Sequence, residues 1–120
     1  MLLAISWFTI KHFFADFVFQ SQSQFKNKHI YGHWGGLEHA GIHGACSVPI
    51  FLILPASSLF VAVSLISAEI IVHYHLDWLK KNYVLHKGLT TKNRRYWVAF
   101  GLDQLLHMMT YIAMIYLLIQ

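Results

Sequence analysis

A chain of 120 residues is long enough for one domain and too short for two, and 57% hydrophobic against 12% charged residues excludes an ordinary water-soluble fold, in which about 25% are charged. The formal net charge of +4 does not point to nucleic acid, because apart from Lys11 the lysines and arginines are confined to two stretches. Cys46 is the only cysteine, which excludes an internal disulfide and any Cys-rich zinc motif.

In chain order, Met1-Leu2-Leu3 lacks a basic n-region and a small-residue cleavage site nearby, so the first apolar run reads as a retained helix over about residues 2–20. It ends at the polar run Gln20-Ser21-Gln22-Ser23-Gln24. A second run, about 37–54, follows the Gly35-Gly36 breaker. Pro55, Ser57 and Ser58 mark a tight turn into a third run, about 57–79, and a fourth covers about 96–119. Each is about as long as a helix needs to be to cross roughly 30 Å of hydrocarbon, and none alternates with period two. The expectation is therefore an all-α integral membrane four-helix bundle forming a single transmembrane domain over residues 1–120.

The loops set its orientation. Lys26 and Lys28 lie between the first two helices, and Lys80, Lys81, Lys87, Lys92, Arg94 and Arg95 lie between the last two. The positive-inside rule places both basic loops in the cytoplasm and both termini outside, most simply in a bacterial inner membrane. The lipid bilayer is then the main partner, with anionic head groups attracted to the longer basic loop, and oligomers are compatible with such a chain.

Nine residues stand out because they should not be in lipid. The first helix carries His12 and Asp16, the second His39 and His43, the third Glu69, His73 and Asp77, and the fourth Asp103 and His107. Successive members on each helix are spaced i, i+4, which puts them on one face a turn apart. Counted from the cytoplasmic ends, they fall roughly 3 to 15 Å deep, so one layer of a bundle can hold them all. Four carboxylates there cost on the order of 2.5–3.5 kcal/mol each. Lys11 is the only cation nearby outside the loops, so protonation, histidinium or bound metal must offset them. Histidine with carboxylate and no thiolate suits zinc, manganese or iron. The expected cofactor is one or two such divalent ions held by His12, Asp16, His39, His43, His73, Asp77, Asp103 and His107, with Glu69 as a ligand or the general base.

Other residues have plainer readings. His75 faces another way, His29, His33 and His86 sit in polar loops, Glu38 reads as a helix-start cap, and Gly41 and Gly44 as close-packing positions.

The segments His12-Phe13-Phe14-Ala15-Asp16-Phe17-Val18-Phe19-Gln20, His39 with His43, His73 to Asp77 leading into Trp78-Leu79-Lys80, and Asp103-Gln104-Leu105-Leu106-His107 resemble the bacterial and phage membrane family called domain of unknown function 3307. At motif level the chain is also similar to small bacterial membrane-bound metal-dependent hydrolases, which carry paired histidines in one helix and His or Asp in others. That similarity implies metal chemistry. The leading expectation is a hydrolase acting on a lipid-linked ester or phosphoester near the cytoplasmic face. The alternatives are a divalent-metal or proton carrier or channel, a haem site between histidines, and a structural polar layer in a scaffold. No G-x-S-x-G or G-x4-G-K-[ST] motif occurs.

Overall fold

The computed structural model describes residues 1–120 and contains five α-helices and no strand. The first, α1, runs Leu2–Phe13 and passes directly into a wider π-type turn, Phe14–Val18, where the Phe19 N–H donates to the Phe14 carbonyl at 2.8 Å. Such i→i+5 turns bulge a helix and re-aim its side chains. Asp16 sits in this one.

The polar run after it is not merely a helix end. Ser21 caps a short helix, α2 (Gln22–Asn27), through a capping box: the Gln24 N–H donates to Ser21 Oγ at 3.2 Å and the Ser21 N–H to Gln24 Oε1 at 2.9 Å. Helix α3 (Trp34–Ser47) begins earlier than expected because His33 caps it, its Nδ1 accepting from the Gly35 N–H at 3.0 Å. Glu38, expected as the cap, is exposed one turn further on. At Val48 the helix tightens into a 3-10 turn, Val48–Leu52, since Pro49 has no N–H to continue the α-helical ladder. Ser58 caps α4 (Leu59–His86) by accepting from the Val61 N–H at 3.2 Å, and α5 (Arg94–Leu118) returns alongside it.

Two close approaches fix the packing. A Cβ at Gly35 would lie 3.2 Å from Gln24 Cα, so α2 folds back onto the start of α3. A Cβ at Gly44 would come within 2.6 Å of the Ile70 side chain, which brings α3 against α4 as the sequence suggested; Gly41, by contrast, faces open space.

The interior is divided. Towards the chain termini lies an apolar cluster of Ala4, Phe8, Ile50, Leu65, Tyr111, Met114 and Ile115. Towards the α4–α5 turn the interior is polar, and among the 25 buried residues the polar and charged ones outnumber the apolar ones. The exterior is the reverse: Leu52 is 88% exposed, and Leu2, Leu59 and Phe60 are similar.

Two helices, Leu59–His86 and Arg94–Leu118, are long and apolar enough to cross a membrane. The expectation was four. Pro49 and the wide turn after Phe13 cut α3 and α1 to 14 and 12 α-helical residues, below that measure.

Candidate metal centre

Four helices each contribute one stripe to the polar interior. The π-type turn carries Asp16 inwards below His12, α3 presents His39 and His43, α4 presents His73 and Asp77, and α5 presents Asp103 and His107. His12, His39, His43, His73, Asp77, Asp103 and His107 are all buried. The rings overlap closely, with His43 stacked on His73 at a centroid distance of 3.7 Å and His73 on His107 at 4.1 Å.

Within this layer, donor atoms converge in two adjoining groups, Asp16–His39–His43–His73 and His73–Asp77–His107, each with its atoms within 4.8 Å of one another. His73 belongs to both. Asp16 Oδ1 lies 3.0 Å from His43 Nε2 and 3.1 Å from His39 Nε2. Around the second group the separations widen: Asp77 Oδ2, which also meets Lys28, is 3.4 Å from His73 Nε2 and 3.3 Å from His39 Nε2 of the first group, and at its border His107 Nε2 is 3.5 Å from Asp103 Oδ1. These are long for a hydrogen bond, which prefers about 2.7–3.2 Å. They match neighbouring ligands of one tetrahedral ion, which at bond lengths of about 2.0–2.2 Å stand roughly 3.3–3.6 Å apart. Both ring nitrogens of buried His73, together with His107 Nε2 and Asp103 Oδ1, lack any hydrogen-bond partner. Buried polar atoms are seldom left so, and four in one layer call for a further species.

Not every expected ligand lies within these two groups. His12 is engaged at both nitrogens, Nδ1 with the Tyr111 hydroxyl at 2.9 Å and Nε2 with Gln104 Oε1 at 3.0 Å, and lies outside both groups. Asp103 borders the second group and is tied to Lys80 at 3.0 Å. Glu69 sits apart from the histidines in a buried ion pair with Lys11, whose Nζ also donates to the His43 carbonyl at 3.2 Å. A carboxylate so engaged is placed to position Lys11 and the α3 backbone. Its other oxygen, Oε2, is buried without a hydrogen-bond partner.

The surroundings also supply cations to the buried carboxylates. Lys28, expected in a solvated loop, is buried and pairs with Asp77 at 2.6 Å, and Lys80, expected among head groups, turns inwards to Asp103. With Lys11 on Glu69, three of the four carboxylates have a lysine. Asp16 has only imidazoles and the Gln104 amide, which donates to it at 3.4 Å.

Sequence reasoning missed Lys28, Lys80, Gln20, Gln104 and Tyr111. For two of them the signal was present: Gln20 continues the stripe His12, Asp16 and Tyr111 continues Asp103, His107, each by a further four residues. Gln20 Nε2 stands 3.3 Å from His39, and the Tyr111 hydroxyl reaches both His12 and, at 3.4 Å, His43 Nδ1.

The sequence profile of a family described as a protein of unknown function (DUF3307) matches residues 4–120, and the chain belongs to that family. No curated protein and no solved structure matches it.

Proposed function

We propose that this chain is a membrane-embedded, metal-dependent hydrolase: a four-helix bundle whose buried histidine–aspartate layer holds one or two divalent ions near the cytoplasmic face and acts on a lipid-linked ester or phosphoester. The observation that carries this reading is the convergence of two histidine–aspartate groups that share His73, a buried residue whose two ring nitrogens have no hydrogen-bond partner.

Four spans are supported by adding the turns to the helices they extend. Residues 2–18 are continuously helical and rise about 25 Å, and residues 34–52 about 30 Å, near the hydrocarbon thickness. The long axis of the molecule, 45 Å, equals a bilayer with its head-group regions. An apolar exterior around a polar interior is the arrangement lipid requires.

Asp16 is the one carboxylate without a lysine, so charge alone asks for a single cation, beside Asp16, His39, His43 and His73. His73, Asp77 and His107 offer a second position next to it. A divalent ion held there would supply a water acidified towards neutrality and a charge to stabilise developing oxyanions. The chain's own groups do the rest. Tyr111 and Gln104 fix the His12 ring, Lys11 holds the α3 backbone at His43, and Lys28 and Lys80 pair with Asp77 and Asp103 and orient them. Hydrolysis adds the water oxygen to carbon or phosphorus, and the alcohol leaves with a proton. The apolar cluster closes the far side of the layer, which favours a hydrolase open to one face over a carrier.

The test is to strip detergent-purified protein with a chelator, reload it separately with zinc, manganese and iron, and assay release of fatty acid or alcohol from lipid esters and phosphoesters. Turnover with one metal, abolished in His43→Ala, is expected. Stoichiometric metal without hydrolysis of any substrate contradicts the hydrolase reading.

A further inference from the structure

Beside the polar layer, α4 and α5 diverge to leave a cleft of about 670 Å³, within the range of sites that take a ligand of a few tens of atoms. Its walls are apolar, formed by Leu76 and Leu79 on α4 and by Val98, Leu102 and Leu106 on α5. Lys80, Arg94 and Arg95 line it as well, at the end nearest the α4–α5 turn. The sole acid on its wall is Asp103, and that carboxylate is already paired with Lys80. The cleft therefore joins an apolar trough to a mouth with a surplus of positive charge. Arg94 and Arg95 are exposed and have no carboxylate partner.

We infer that this cleft binds a phosphate-bearing membrane amphiphile, its acyl chain along Leu76, Leu102 and Leu106 and its phosphate at Arg94 and Arg95. Charge complementarity selects the occupant. A neutral lipid would leave two guanidinium groups unused, and a free anion would leave the apolar wall uncovered. Arginine presents a planar fork suited to bidentate contact with phosphate oxygens. Asp103 reaches both spaces: it lines the cleft and also faces His107 Nε2 at 3.5 Å. The chain of a bound amphiphile therefore passes beside the histidine layer, with its phosphate held at the arginines about 12 Å along α5 from Asp103. The inference deepens the proposed function by placing its substrate, and rests on that reading for the consequence of binding but not for binding itself.

The experiment uses the full-length protein in detergent, depleted of metal by chelator, and counts bound lipid by native mass spectrometry across a titration. Dioleoyl phosphatidic acid is expected to bind once per chain. Dioleoylglycerol, which lacks the phosphate, and inorganic phosphate, which lacks the chains, are each expected to bind at least about tenfold more weakly. An Arg94→Ala, Arg95→Ala double variant should lose phosphatidic acid by about 30-fold, the attraction of two cations at a surface. Leu102→Trp should lose phosphatidic acid and dioleoylglycerol alike by filling the trough. Lys87→Ala with Lys92→Ala, outside the cleft, should change nothing. Wild-type affinity in the arginine and tryptophan variants, or an equal loss in the Lys87, Lys92 variant, overturns the cleft as the site. Tight binding of inorganic phosphate alone overturns the amphiphile. Because the protein is metal-free throughout, a failure here leaves the metal reading standing, and metal-free native protein that still binds lipid separates the two in the other direction.

Discussion

The two ends of this bundle are held by different physics. At the terminal end, Phe8, Ile50, Leu65, Met114 and Ile115 pack without a polar atom, and Phe8 stacks on Tyr111 at 4.7 Å. At the other end, three lysine–carboxylate pairs and a layer of imidazoles occupy the same helices. If lipid surrounds both, the apolar end gains only packing contacts over the bilayer, because lipid tails are as apolar as leucine. The polar end has no such substitute: a carboxylate or lysine there must meet its partner or remain unsatisfied. In lipid, the polar end would then set helix register and the apolar end fill space. Tyr111 joins them, its ring in one cluster and its hydroxyl in the other.

The largest effect is expected from Lys28→Met, which leaves buried Asp77 with only the more distant Lys80, at 3.9 Å. A loss of about 3–5 kcal/mol is expected when metal is absent, since an uncompensated buried charge is far costlier than a missing pair. Added divalent metal should recover part of it, as read by thermal unfolding in detergent with and without chelator. Equal destabilisation in both conditions would mean that no cation reaches Asp77. Asp16→Asn comes next. It keeps the shape and removes the one carboxylate without a lysine, and metal affinity should drop by more than about 100-fold in a competition titration. Retained affinity would move the site to Asp77 and His107.

At the opposite end, Leu65→Ala should cost about 2–3 kcal/mol by the cavity it leaves, while metal content per chain stays as in the native protein. A fall in metal content would show that the two ends are not independent. The smallest effect expected is that of Gln104→Leu. The amide touches His12, Asp16 and Asp103, none of them through more than one contact, and its loss should weaken metal binding by about tenfold through orientation alone.

Much of the site was legible because its residues violate the composition around them. His39, His43, His73 and Asp77 stand out in apolar runs, and the i, i+4 spacing put them on inward faces, where the structure places them. The lysines were not legible in the same way. Lys28 and Lys80 sit in runs that read as topology signals. Only the fold-back of α2, fixed by the Ser21–Gln24 box and by Gly35 against Gln24, carries Lys28 into the bundle. The capping box was visible as Ser21 with Gln24 three residues later, but the expectation of a helix end there hid it. Helix ends were lost for equally specific reasons. Pro49 lay inside an apolar run whose hydropathy alone suggested an unbroken span, and nothing in Phe14 to Val18 announces an i→i+5 turn.

The buried layer is proposed here as a metal centre. It is tested most directly by elemental mass spectrometry of detergent-purified protein, native and with Asp16, His39, His43 and His73 all replaced by alanine. One or two equivalents of zinc, manganese or iron per chain, absent from the folded variant, is the predicted result. Native protein that holds no divalent metal even after reconstitution would contradict the account and leave the layer as a structural or proton-carrying network.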